Sequence, residues 1–291
     1  MRAKARAVPG SALRRVLIGG TLALVVVFYL ARAATEEAGA SPTFFVDPSR
    51  VAVEEAPAWL PPEWVGEAET VLRGIEPFSV FDARGTEGAE RALRSLGWVK
   101  AVEPAGRSFP RTARIRIRVR RPAAVVEGAG GGTLVDEAAV VLPSLAPERA
   151  ALLPPLPRVV APHGDLGTEP VAGADWKDRR VRAGVAVALE VRPLVRRAGP
   201  TRVVAIDVTN ADGRADPLVS SIVLVTEAGA RLLWGRPAAE GAFGELSTAA
   251  KLEALERVVG AYPRLAGVRE ADLRFDRPVV FADGARLAEA R

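Results

Sequence analysis

The sequence predicts an α+β chain: a single N-terminal transmembrane helix, a small module of order strand–helix–helix–strand–strand, and a mixed or antiparallel β domain with flanking helices. Three observations predict it. Residues 16–31, VLIGGTLALVVVFYLA, carry no charge and are bounded by Arg15 and Arg32. Residues 112–120 alternate aliphatic side chains with arginines, the period of a half-buried strand. Apolar residues at helical spacing then interleave with short strand signals to the end of the chain.

Residues 1–15 form a basic tail with Arg2, Lys4, Arg6, Arg14 and Arg15, and no acid precedes Glu36. The uncharged run rises roughly 24 Å as a helix, slightly short of a bilayer core. Val16, Leu17, Leu24, Val26 and Phe28 supply its apolar surface, Tyr29 suits an interface, and the flanking arginines can snorkel. The membrane segment is thus residues 16–32, with the tail in the cytoplasm and the body exported. The rival is a cleaved signal peptide, for which Ala31-Arg32-Ala33 offers a small-x-small site. The run is long for such a segment and the arginine is ill placed, which favours an uncleaved anchor. Either way residues 34–291 are exported.

Residues 33–43 read as a short acidic linker. Strand signals follow at 44–46 and 51–53. Pro61-Pro62 opens a helix with Trp64, Val65, Ala68, Val71 and Leu72 at helical spacing, and Gly74 ends it. Residues 78–81 form an apolar link. Thr86 is the expected N-cap of a second helix with Ala89, Ala92, Leu93 and Leu96 on one face, stopped by Gly97. In the strand at 112–120, Ile115, Ile117 and Val119 face a core while Arg114, Arg116, Arg118 and Arg120 face solvent. These elements make a first module over residues 44–127.

The β domain spans residues 132–285. Residues 128–132, GAGGG, form a hairpin turn; they lack the Lys-Ser/Thr ending of a phosphate loop and lead into a strand. Residues 134–135 and 140–142 flank a turn at Asp136-Glu137-Ala138. The proline-rich stretch 143–162 is expected to be extended loop. Residues 176–195 carry a helical pattern through Val181, Val185, Leu189 and Val191. Strands follow at 203–208, 219–226 and 231–234, the last two joined at Ala228-Gly229, and Asp212-Gly213 marks a tight turn. A helix from Ser247 places Leu252, Leu255, Val259 and Tyr262 inward. Strands at 271–275 and 279–281 and a frayed tail, 286–291, close the chain.

Of 40 basic residues six lie in residues 1–32, so the remainder holds 34 against 35 acids. A nucleic-acid-binding body would keep a positive excess. The chain has no cysteine and a single histidine, His163, in a Pro/Gly-rich loop. Thiolate and zinc sites and Cys/His chemistry therefore lack their residues, and no nucleophile-elbow sequence accompanies His163. The stretch DVTNADG misses the oxygen spacing of a calcium loop. No catalytic residue, cofactor or metal ligand is assigned.

Residues 95–126, SLGWVKAVEPAGRSFPRTARIRIRVRRPAAVV, resemble the bacterial cell-division family FtsQ/DivIB. The matching features are Trp98-Val99 at a helix end, the Phe109-Pro110 turn, the alternating Ile115, Ile117 and Val119, and Arg121-Pro122-Ala123. Residues 78–82 are similar to the family's short link. Leu134-Val135-Asp136, Gly229, Gly235-Arg236 and the closing Ala271-Asp272-Leu273-Arg274-Phe275 also resemble family features. The chain departs from the pattern at residues 136–139, which lack the usual glycine, in the first strand, and at Phe275 and Arg277-Pro278.

The resemblance implies a tail, an anchor, a POTRA-like βααββ module and a β domain. It also implies a non-enzymatic scaffold in the bacterial inner membrane, linking early division proteins to septal peptidoglycan synthesis. Its partners would be FtsB and FtsL, single-span coiled-coil proteins, with the bilayer engaged through one helix and no nucleic acid bound. Partner capture is expected by strand addition near the C-terminus. The edge would be formed by Leu273, Arg274 and Phe275, or by Val279 and Phe281, backed by Leu252, Leu255 and Tyr262; Pro278 favours the first. The alternatives are a POTRA-bearing component of an export or outer-membrane pathway, and an exported enzyme or binding protein.

Overall fold

A computed structural model describes residues 10–41, 43, 45–46, 51–53, 56–79, 83–103, 106–108, 112–128, 130–162, 164–216, 221–240, 244–282 and 285–289. The fold is mixed α+β, with one N-terminal apolar helix and a large mixed sheet. The chain divides into two compact units, Met1–Ala52 with Gly66–Leu93 and Val102–Arg116, and Val53–Val65 with Arg94–Ala101 and Ile117–Arg291.

Helix α1 (Gly10–Ala40) opens the first unit. It begins six residues before the expected start and runs eight past Arg32, so most of the expected linker is helix. Residues 33–40 are rich in alanine and glutamate, which favour helix, and Arg32 pairs with Glu36 one turn on at 2.9 Å. Strand β1 (Phe45–Val46) pairs antiparallel with β3 (Phe78–Ser79).

The remaining short elements are β2 (Val51–Val53), α2 (Pro62–Arg73), α3 (Ala83–Arg94), β4 (Val99–Val102), β5 (Gly106–Ser108) and β6 (Thr112–Val119). A four-stranded sheet has the order β2-β6-β4, with β5 also on β6. Helix α2 buries Trp64, Ala68 and Leu72, a four-residue repeat that gives one apolar stripe. Helix α3 starts three residues before Thr86, so Thr86 is not its cap. On β6, Ile115 and Ile117 are buried and Arg116 and Arg118 exposed, as the alternation predicts, whereas Arg120 after it, expected in solvent, is half-buried and pairs with the buried Asp136 at 2.7 Å.

The second unit is built on a nine-stranded sheet. Its strands are β7 (Pro122–Gly128), β8 (Gly131–Asp136), β9 (Arg158–Val160), β10 (Val203–Asn210), β11 (Ser221–Thr226), β12 (Arg231–Gly235), β13 (Val268–Asp272), β14 (Val279–Ala282) and β15 (Ala285–Glu289). The order is β15-β14-β13-β12-β11-β10-β9-β7-β8. The helices are α4 (Pro147–Ala150), α5 (Arg179–Glu190), α6 (Arg192–Val195) and α7 (Thr248–Ala261). Strand pairs β9–β10 and β12–β13 are parallel. Parallel neighbours need a crossover, and α5 with α6 supplies the first and α7 the second.

Three expectations change here. Strand β7 belongs to the large sheet, so the expected boundary at 127 falls inside it. Residues 158–160 are a strand, not loop: β9 lies between β7 and β10 with Val159 fully buried. The tail, expected to fray, forms β15 from residue 285.

The core joins both crossovers to the sheet through Val159, Val181, Val185, Ile206, Leu224, Leu232, Leu255 and Ala271. Asp178 caps α5, accepting from the Arg180 backbone N–H at 2.7 Å. Ser247 caps α7, accepting from the Ala250 N–H at 3.3 Å.

Candidate partner edge and membrane helix

The C-terminal end of the large sheet is where the sequence places its binding residues. Leu233 of β12 accepts from the Leu273 N–H at 3.1 Å, and the Leu273 side chain is fully buried. Strand β13 pairs with β12 on one side and β14 on the other, so the favoured edge is interior. The strand itself ends at Asp272, earlier than the expected 271–275. The shift follows from side-chain hydrogen bonding. Asp272 accepts from the Arg274 backbone N–H at 3.0 Å and from the Arg274 guanidinium at 2.9 and 2.7 Å, which bends the chain out of the ladder. The side-chain hydrogen bonds to Asp272, against the opposing effect of burial, hold the guanidinium above its ordinary range.

The bend carries an exposed aromatic. Phe275 is 47% exposed, with the Arg274 guanidinium carbon 5.2 Å from its ring centre. Phe281, on β14 opposite Glu270, is also exposed, and Val279 is half-buried opposite Asp272. The outer side of β14 is taken by β15, with Val279 opposite Glu289, Val280 opposite Ala288 and Ala282 opposite Ala285. The second expected edge, at Val279 and Phe281, is thus also paired. The terminal edge belongs to β15. At the far end of the sheet β8 is partly covered, since Leu142 N–H donates to Leu134 O and Asp136 N–H to Val140 O.

Helix α7 backs the C-terminal half as expected. Leu255 is fully buried, and Leu252, Val259 and Tyr262 pack against the core. A polar cluster that the sequence reading did not anticipate lies beneath it. Lys251 is buried, its ammonium 2.9 Å from Glu245 Oε2 and 5.4 Å from the Trp234 ring centre. Glu190 accepts from Trp234 Nε1 at 3.0 Å and Thr248 Oγ1 at 3.3 Å. Gly235 has φ 88° and lies so close to Glu245 that a methyl there would sit 2.2 Å from Oε2. The glycine of the Gly235-Arg236 pair was the only visible trace of this packing.

In α1, residues Ile18–Glu37 form a stretch of mean hydropathy 1.7, long and apolar enough to cross a membrane. Leu24, Val26, Phe28 and Tyr29 are exposed on it, and the Phe28 and Tyr29 rings meet edge-on at 6.0 Å. Val16 and Leu17 lie within α1, their side chains outside the described residues. His163 and Phe109-Pro110 also lie outside them. Among the described residues no three carboxylates or imidazoles converge as a metal site. No family model matches the chain, and no curated protein sequence matches it.

Proposed function

We propose that the chain is a non-enzymatic scaffold of the bacterial division machinery, similar to the FtsQ/DivIB family. Helix α1 anchors it in the inner membrane with the basic tail in the cytoplasm and the body in the periplasm, at the septum. Elements β2, α2, α3, β4 and β6 form the POTRA-like module that recruits it there. The large sheet captures single-span coiled-coil partners of the FtsB and FtsL kind, linking early division proteins to septal peptidoglycan synthesis.

One observation carries the partner site. The sheet ends in a short terminal strand laid on β14, beside two exposed phenylalanines, Phe275 and Phe281. Strand β15 is the terminal strand and is held in the sheet by β14 alone, so its backbone hydrogen bonds can be exchanged without breaking a second pairing. A partner segment pairs with β14 in its place, gaining the same backbone hydrogen bonds and covering the aromatic side chains. Charged residues of the β15 segment, Arg286 and Glu289, suit a strand that must not recruit chains indiscriminately.

The test is the position of a fluorescent fusion to the full chain in growing cells. A band at midcell that depends on residues 268–282 is expected. A uniform peripheral signal overturns the division reading.

A further inference from the structure

The second unit contains a cavity of about 460 Å³, away from the terminal strand and independent of the division reading. Its walls come from the turn at Trp59, the start of β7, residues 154–157 and the end of α5 with α6. Arg121, Arg192 and Arg196 line it over an apolar base that includes Trp59, Ala188 and Val195, all buried.

Several arginines of the unit are matched to acids: Arg158 with Glu127, Arg202 with Glu227, Arg231 with Asp207, and Arg274 with Asp272. Arg192 and Arg196 lie one helical turn apart, both exposed, and neither has a carboxylate partner among the described residues. Like charges at this spacing repel, so the pair is a local cost left in place. Glu137, the one acid in the lining, is already bound by Lys100. The cavity lining is therefore net positive, combining three arginines with an aromatic and aliphatic base.

Guanidinium groups match the planar oxygen pairs of carboxylates and phosphates. The volume falls within the range of small-molecule sites, and the indole of Trp59 offers a surface for an apolar body. We infer that this cavity binds an organic oxyanion, a phosphate or carboxylate group carried on a compact apolar body, with Arg192 and Arg196 holding the anion and Trp59 contacting the body.

The experiment titrates the full chain in detergent micelles with phenyl phosphate, read by tryptophan fluorescence. Saturable binding is expected, with the signal lost in Trp59→Phe. The double variant Arg192→Gln/Arg196→Gln should weaken binding by at least about tenfold, because two charge-assisted contacts go. Arg182→Gln, an exposed change on α5 outside the cavity, should leave affinity unchanged. Circular dichroism and melting temperature confirm that each variant is folded. Inorganic phosphate should bind more weakly than phenyl phosphate; equal affinity overturns the organic ligand class and leaves a free-anion site. Absence of saturable binding up to about 10 mM, or wild-type affinity in the double arginine variant, overturns the site itself.

Discussion

Gly184 sets how closely α5 can lie on the sheet. A methyl group there would fall 2.8 Å from Val159 Cγ1 and 2.8 Å from Val208 Cγ1, on β9 and β10. Gly184→Ala should therefore destabilise the chain by about 1–3 kcal/mol in denaturant unfolding, despite the better helix propensity of alanine. Phe275 is the opposite case. Its ring lies outside the core, so Phe275→Glu should change stability by less than about 0.5 kcal/mol while reducing co-purification of the coiled-coil partner. Undiminished co-purification would move the site elsewhere. Asp178 brings a pH dependence. Burial pushes its carboxyl up, and hydrogen bonds and charge from Arg180 more than reverse this, leaving it below its ordinary 3.8. A lowered acid stabilises the fold above that ordinary value and loses its contribution as pH falls through the lowered one. Asp178→Asn keeps a capping oxygen but not the charge. The variant should thus be less stable than wild type near neutrality, and the gap should close as pH falls through the lowered value, read by thermal unfolding across pH.

At the scale of elements, β15 is the strand whose removal is most informative. Deleting residues 285–291 uncovers the outer hydrogen-bonding groups of β14. Partner affinity should rise several-fold in a pull-down or calorimetric titration, because no resident strand must be displaced first. A fall in affinity would mean that the partner docks on β15 itself. The same end of the sheet separates what was legible from what was not. Helix α7 was readable because Ser247 caps it and Leu252 and Leu255 repeat along one face. Strands β10 to β12 were readable from their aliphatic runs and the Ala228-Gly229 turn. Strand β13 was not, because Val268 and Ala271 are its only apolar residues, and the more apolar Leu273 and Phe275 drew the expected strand too late. The Asp272–Arg274 hydrogen bonds that end it have no periodic signature. Strand β9 was hidden by the prolines that flank it: its hydrogen bonds go to strands far away in the chain, so tertiary pairing overrode local composition. The two edges expected at 273–275 and 279–281 are both paired in the sheet, and its terminal strand is β15.

For the whole molecule, the exposed apolar surface is concentrated in α1. Ile18, Leu22, Leu24, Phe28 and Leu30 are each at least 60% exposed, far more than a water-facing helix carries. The full chain should enter the detergent-rich phase on cloud-point partition, and a version starting at residue 43 should stay in the aqueous phase and keep a cooperative thermal unfolding transition. Partition of both into detergent would place a second lipid-seeking surface in the body. The charge-free part of this helix was legible, since such a run needs no tertiary information to be seen. Its extension to Ala40 was not, because alanine and glutamate suit a linker as well as a helix.

The nine-stranded sheet grows in nearly the order of synthesis. Strand β9 docks on β7, and from β10 to β15 each strand pairs with its immediate predecessor. A polypeptide threaded outward from its amino end would meet a finished template at every step and never wait for a later segment. Assembly of this sheet can thus keep pace with translocation, and its last act is to close its own growing margin.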